Sequence, residues 1–295
     1  MKRALACLVI LGGLSLAAYA AALPYLISYP SVDSGWSLVG NVTPLNMACT
    51  SGCLIDIPDN TGNFASSHWW TKTNRGAATP FEAQLDELLQ VQSNQQNSSV
   101  SKVVSLPTTQ TYKIAVDVQG RQSTPPGGGS LVWPVMQVSV NGAVLNFCKY
   151  PNNNTITTSS SLTVDQRGHT GPDGSLHEYA ETCATSLFAG NNTVAVSIIG
   201  GPAHGGQLQV RHVVLYAVTG GVQGRVACYV NRVYVDGGLK SGTDLFDLNT
   251  QAKTWAATAC VQNPPIPYYV NLTGDSIGAT GCANGAQPCK MLELF

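Results

Sequence analysis

Apolar and polar residues alternate along most of this chain, in short runs separated by turn residues. Ile114, Val116 and Val118 share one face of the run 112–119, and Val194, Val196 and Ile198 share one face of 193–199. Leu208, Val210, His212, Val214 and Tyr216 alternate in the same way through 207–218. A period of two marks half-buried β-strands. Further runs rich in Val, Ile, Thr and Tyr fall at 36–43, 53–57, 100–106, 132–140, 143–147 and 155–164. Asn141-Gly142 between two of them predicts a type I′ hairpin, and 125–129 (PPGGG) and 171–174 (GPDG) predict loops. Short strands joined this way predict an all-β fold, a jelly-roll β-sandwich.

One segment has a helical signature. Thr79-Pro80-Phe81-Glu82 has the form of a capping box with Pro at the first helical position. Phe81, Leu85, Leu88 and Leu89 then line one face, predicting a short helix over a sheet edge. The pair Gly220-Gly221 ends the first β run, so 220–224 is expected to link a domain at 21–219 to a smaller one at 225–295. The smaller unit offers strand candidates at 226–235, 254–261 and 268–272 and an apolar C-terminal tail. About 70 residues make a thin core, and disulfides would compensate.

The chain begins with Met1-Lys2-Arg3, an apolar run and Ala18-Tyr19-Ala20. A short positive region, an apolar stretch and small residues at both specificity positions predict a signal peptide over 1–20, cleaved before Ala21. An uncleaved anchor is the plainer alternative. Cleavage removes Cys7 and leaves Cys49, Cys53, Cys148, Cys183, Cys228, Cys260, Cys282 and Cys289. An even number in an exported chain predicts a disulfide framework. Local spacing favours 49–53, 148–183, 228–260 and 282–289, although eight cysteines allow 105 connectivities. Zinc is disfavoured, since no C-x-x-C occurs. Five N-x-[ST] sequons, at Asn41, Asn97, Asn153, Asn191 and Asn271, are candidate N-glycan sites.

Only 11% of the residues are charged, 15 basic against 16 acidic, while 44% are hydrophobic. The chain can therefore bury a core, and the absence of basic blocks argues against nucleic acid. No catalytic motif stands out. The carboxylate groupings Asp56/Asp59, Asp86/Glu87, Glu178/Glu181 and Asp244/Asp247 are candidates for glycosidic chemistry, Glu178/Glu181 near His177 being the least ordinary. His169, Asp173 and His177 match no usual metal spacing, and a solvated loop is the better reading. No cofactor or metal is expected. His212 alternates with apolar residues and reads as a hydrogen-bonded core histidine.

Trp36, His68, Trp69, Trp70 and Trp133 could present rings to a sugar. Trp36 and Trp133 read better as core, whereas adjacent Trp69 and Trp70 point to opposite faces of a strand and one must be covered by a ligand, loop or partner. The end segments are also unusual. Tyr25, Ile27 and Tyr29 lie in an apolar stretch between Pro24 and Pro30, and Met291, Leu292, Leu294 and Phe295 form another at the C-terminus. Apolar strands at chain ends are expected to pair either with the parent sheet, which is the favoured reading for the N-terminal strand taken alone, or with a neighbouring molecule as a donated strand.

The segment 23–218 resembles galactose-binding-domain-like jelly rolls, the fold of many carbohydrate-binding modules. The resemblance rests on Gly35-Trp36, the strand Tyr112-Lys113-Ile114-Ala115-Val116-Asp117-Val118 and the Val138-Ser139-Val140-Asn141-Gly142 hairpin. Asn192-Thr193-Val194-Ala195-Val196 and the strand 208–216 close it. It implies a two-sheet sandwich. Jelly-roll subunits of extracellular filaments share these features. The favoured reading is a secreted, non-enzymatic structural glycoprotein whose partners are copies of itself, assembled by strand donation. The alternative is a module that recognises extracellular glycan through Trp69 and Trp70. A glycan-active enzyme ranks last.

Overall fold

A computed structural model describes residues 21–28, 35–45, 82–86, 98–150, 155–165, 178–230, 233–261, 268–274 and 291–292, apart from positions 22, 41, 123, 126, 202 and 273. In chain order the strands begin with β1 (Leu26–Ser28), β2 (Trp36–Val39), β3 (Val42–Leu45) and β4 (Glu82–Asp86). Then come β5 (Ser99–Leu106), β6 (Gln110–Arg121), β7 (Val135–Val140), β8 (Ala143–Val144) and β9 (Phe147–Lys149). These are followed by β10 (Thr155–Ser159), β11 (Leu162–Thr163), β12 (Glu178–Thr182), β13 (Thr185–Leu187), β14 (Gly190–Ile198) and β15 (Gln207–Ala217). The last part holds β16 (Val222–Val230), β17 (Val233–Gly242), helix α1 (Leu245–Ala259), β18 (Tyr268–Asn271) and β19 (Met291–Leu292).

Two antiparallel sheets make the jelly-roll sandwich. The larger runs β10-β9-β12-β6-β15-β4-β3, with β1 added to β15 and β13 to β6. The smaller runs β11-β7-β14-β5-β2, with β8 added to β7. Their inner faces supply one core, in which Ile114, Val116, Val118, Val138, Val194, Val196 and Ile198 are wholly buried. The period-two reading of those strands is what the structure has. Asn141 and Gly142 both take positive φ, 52° and 81°, and join β7 to β8 as the sequence implies. Trp36 lies half-buried against the core beneath the Lys102 ammonium, 5.9 Å from its ring.

Strand β15 departs from the simple alternation. Its register against β6 shifts between Val210 and His212, an extra residue at Arg211. Such a bulge reverses the faces beyond it. Leu208 and Val210 therefore join the sandwich core with Val213 and Leu215, while Val214 and Tyr216 turn outward. They are not left in water. Val214, Tyr216, Ala115 and Tyr179 form a second core with Val222, Val226, Leu245, Leu248 and Val270 from the C-terminal part. That part is the sheet β17-β16-β18-β19 with α1 packed on it.

Several expectations are corrected. The helix expected after Thr79 is instead strand β4, paired with both β15 and β3. Two flanking ladders outweigh a local capping preference. The reverse holds at 254–261, which ends helix α1 and is not a strand. The expected 220–224 linker is a tight turn at Gly220-Gly221 running straight into β16. The N-terminal strand is paired within its own chain, Leu26 opposite Leu215 and Ile27 opposite Val214, and Leu26 enters the core. Met291 and Leu292 likewise pair with Asn271 and Val270 of β18. The described residues of both candidate donor strands, 26–28 and 291–292, thus pair within the chain. Tyr29, Leu294 and Phe295 lie outside the described residues, as do Trp69 and Trp70.

Disulfides join Cys148 to Cys183 and Cys228 to Cys260, two of the pairs favoured by spacing. Cys49, Cys53, Cys282 and Cys289 lie outside the described residues. Among the described residues, no helix is long and apolar enough to cross a membrane.

Candidate functional site

Two places concentrate chemistry, one buried and one exposed. The buried one lies where the outer face of the larger sheet meets α1. Lys113 of β6 donates to Glu181 of β12 at 2.8 Å, and the Tyr216 hydroxyl of β15 donates to the other Glu181 oxygen. Lys149 of β9 binds Asp244 at 2.5 Å, and Lys113 lies 3.9 Å from the same oxygen. Asp244 is the N-cap of α1, and its other oxygen accepts the Asp247 N–H at 2.9 Å. The Lys149 ammonium also sits 5.1 Å from the ring centre of Phe246.

Burial sets the electrostatics here. It pushes the Glu181 carboxyl above its usual range, against the opposing pull of the Lys113 charge and hydrogen bonds from Lys113 and Tyr216. It raises the Tyr216 hydroxyl as well, with the Glu181 charge adding to the rise. Burial also acts upward on Asp244, but hydrogen bonds from Lys149 and the Asp247 N–H, with the charges of Lys149 and Lys113, bring it below its usual range. Glu181 is sealed from solvent, and each of its oxygens accepts one hydrogen bond, from Lys113 and from Tyr216. This arrangement pins the helix start to the sheet; the Glu181 carboxylate is not presented to a substrate. Asp244 and Asp247 are likewise a helix cap: Asp247 accepts the Thr243 N–H at 2.8 Å.

The exposed place is one end of the larger sheet. Phe188 follows β13 with 73% of its surface exposed, more than any other large hydrophobic residue among those described. Its backbone is clamped. Asn192 donates to the carbonyls of Phe188 and Gly190 at 2.9 and 3.0 Å, and Thr109 accepts the Ala189 N–H at 2.9 Å. Asn141 in the neighbouring hairpin donates to Asn192 at 3.0 Å and accepts the Thr193 N–H at 2.8 Å. An apolar ring is thus held out on a rigid turn, where the hydrophobic effect alone would fold it in.

Tyr25 and Gln110 occupy the same end. Gln110 stands opposite Leu187 in the ladder and donates to Thr108 at 3.0 Å, with longer bonds to the Tyr112 and Tyr25 hydroxyls. Tyr25 packs edge-on against Tyr112, ring centres 5.5 Å apart, and stays 38% exposed. Tyr25 is thus a second, partly exposed ring at this end of the sheet, bonded to the Gln110 amide.

Of the other candidates, Asn191 is exposed on β14, whereas Asn271 is 6% exposed within β18. Asn41, Asn97, Asn153, His68, His169, Asp173, His177, Asp56, Asp59 and Glu87 lie outside the described residues. His212 stands opposite the buried Asp117 in the β15–β6 ladder. No group of three or more His, Cys, Asp or Glu side chains among the described residues is placed to hold a metal ion. Phe188 was missed in the sequence. Its signal is an aromatic residue one step out of the strand's period, directly before Ala-Gly-Asn.

No family model matches the chain, and no curated protein matches it. Among solved structures, it is similar to a family 35 carbohydrate-binding module from Clostridium thermocellum, at 15% identity and a TM-score of 0.25, over 42% of this chain and 74% of that one. A second is TmCBM61 in complex with β-1,4-galactotriose, at 14% identity and a TM-score of 0.33, over 66% of this chain and 99% of that one. A third is CBM35 from Cellvibrio japonicus Abf62, at 12% identity and a TM-score of 0.24, over 50% and 72%.

Proposed function

We propose that this chain is a secreted, non-enzymatic glycan-binding protein whose jelly roll presents Phe188 and Tyr25 to a neutral sugar chain. The observation that supports this reading is the 73% exposed Phe188 on a turn clamped from both sides by Asn192 and Thr109. A rigid aromatic face binds the C–H side of a sugar ring with little ordering cost. Polar groups at the same end of the sheet, Thr108 and Gln110, are hydroxyl and amide, which suits hydroxyl-rich and uncharged ligands. This end of the sheet takes the place of Trp69 and Trp70 as the site to test first. Pairing of the described residues of β1 and β19 within the chain favours glycan binding over strand donation as the reading to test first.

Phe188→Ala is expected to weaken binding to the best polysaccharide in a panel by about tenfold. The melting temperature should hardly move, because the removed ring is mostly in water. Affinity electrophoresis in gels containing each polysaccharide reads the first quantity and calorimetry the second. Wild-type protein retarded by none of the panel, or a Phe188→Ala protein retarded equally, would overturn the reading.

A further inference from the structure

The sequon Asn191-Asn192-Thr193 begins three residues after Phe188. Its middle residue faces inward. Asn192 is buried, so Asn191 and Thr193, one position to either side on β14, share the exposed face of the smaller sheet. Asn191 stands opposite Ser105 and Thr193 opposite Val103, and neither neighbour is charged. Phe188 is turned away from the core as well, since Leu187 before it is buried and Phe188 is not. The acceptor amide and the ring therefore both lie on the solvent side of the β13–β14 connection.

Three residues span at most about 11 Å even when fully extended, and this stretch is not extended. Gly190 holds φ at 98°, and one nitrogen, the Asn192 side-chain amide, donates to the carbonyls of both Phe188 and Gly190. Asn192 is held in its turn by Asn141, so ring and acceptor start from a fixed backbone. There is also room. A Cβ added at Gly190 would meet nothing within 4 Å, so the space over the turn between ring and acceptor is open.

We propose that Asn191 carries an N-linked glycan and that the first N-acetylhexosamine of that glycan packs its C–H face on Phe188. The inference rests on the reading of Phe188 as a sugar-stacking ring, and it names a sugar that the chain itself carries. Transfer by an exogenous oligosaccharyltransferase breaks the bond between the sugar C1 and a polyprenyl pyrophosphate, which leaves with the electron pair. The Asn191 Nδ2 forms the new bond to C1 and gives up one proton. A ring that the fold leaves in water thereby gains an apolar contact, without the cost of ordering a free ligand.

The test uses the full chain exported by its natural source or by a host that N-glycosylates exported proteins. Peptide mass spectrometry reads occupancy at Asn191. Melting temperatures are compared for wild type, Asn191→Gln, Phe188→Ala and the double variant, so that glycans elsewhere stay constant. The glycosylated wild type should melt about 2–4 °C above Asn191→Gln. On the Phe188→Ala background the same glycan should give no such shift. Trimming with an endoglycosidase to a single N-acetylhexosamine should keep the shift, because it is the first sugar that meets the ring. Thr193→Ala, which removes the sequon and leaves Asn191 in place, should likewise abolish the dependence on Phe188. An unoccupied Asn191 overturns the proposal, as does an equal shift with and without Phe188. Retardation of Asn191→Gln by polysaccharides decides the external-glycan reading separately, because that chain has no sugar of its own over Phe188.

Discussion

Lys113→Met is expected to destabilise the protein by about 3–5 kcal/mol at pH 7, as loss of one partner from a buried pair does. Glu181 is wholly buried and would keep only the Tyr216 hydroxyl, while Lys113 itself is mostly covered. The pH dependence separates this from a packing defect. In the folded protein the Glu181 carboxyl already lies above its usual 4.5, because burial outweighs Lys113. A folded pKa above the unfolded one contributes stability that is complete below the unfolded value and is lost as pH rises through the folded value. Removing Lys113 takes away the main opposing interaction and moves the folded value further up. The deficit should therefore be largest near neutrality and shrink as pH falls towards 4.5.

Asp244 acts in the opposite sense. Its folded pKa lies below the usual 3.8, so its contribution is present above that value and is lost as pH falls through the folded pKa. Comparison is therefore best made between pH 7 and 5, by urea unfolding. Glu181→Gln added to Lys113→Met should recover much of the loss, since an amide needs no counter-charge. A deficit below about 1 kcal/mol at pH 7, or one equal at both pH values, would refute the account.

This network also marks where the sequence stops being legible. Strands of the sandwich were readable because their apolar period is local: Ile114, Val116 and Val118 need only a face to point to. The same alternation put Lys113, Ala115 and Asp117 on the other face, which looks like a solvent face. It becomes interior only because α1 and its sheet cover it, and that cover comes from residues more than a hundred positions away. Lys113, Lys149, Glu181 and Asp244 have no common motif because they come from three strands and a helix cap. The bulge at Arg211 has a similar status. It redirects Val214 and Tyr216 into the second core, and no turn residue announces it.

The two misread elements erred for opposite reasons. At 82–86 a local helix signal was overridden by strand pairing on both sides of β4. At 254–261 the Thr, Trp and Ala composition hid a helix that begins nine residues earlier. The stronger signal was Asp244 at the N-cap with Leu245, Leu248, Ala252 and Ala256 along one buried stripe. Phe188 was overlooked because a ring outside the strand period reads as turn filler. Its importance comes from exposure and from the clamp by Asn192 and Thr109, which only the packed sheets bring together.

The bridge Cys228–Cys260 should matter nearly as much as the ion network. It ties buried β16 to the residue that caps the end of α1, across a sequence separation of 32. Closing a loop of that length in the unfolded chain removes entropy worth about 3–4 kcal/mol at 25 °C. Cys228 and Cys260 are both buried, with Ala256, Trp255 and Tyr268 packed around them, so little water waits to reward their release. Because the core above α1 also contains Ala115, Tyr179, Val214 and Tyr216 of the larger sheet, its loss reaches the sandwich. The loss should therefore appear in global unfolding and not as a separate early transition. Reducing agent would also open Cys148–Cys183, so the double variant Cys228→Ala with Cys260→Ala is the cleaner experiment. Urea unfolding followed by circular dichroism and by tryptophan fluorescence should give coincident curves, with a stability lower by about 3–4 kcal/mol. Two separated transitions would show that the C-terminal sheet and helix fold independently of the sandwich, and a loss below about 1 kcal/mol would show that packing alone holds α1 in place.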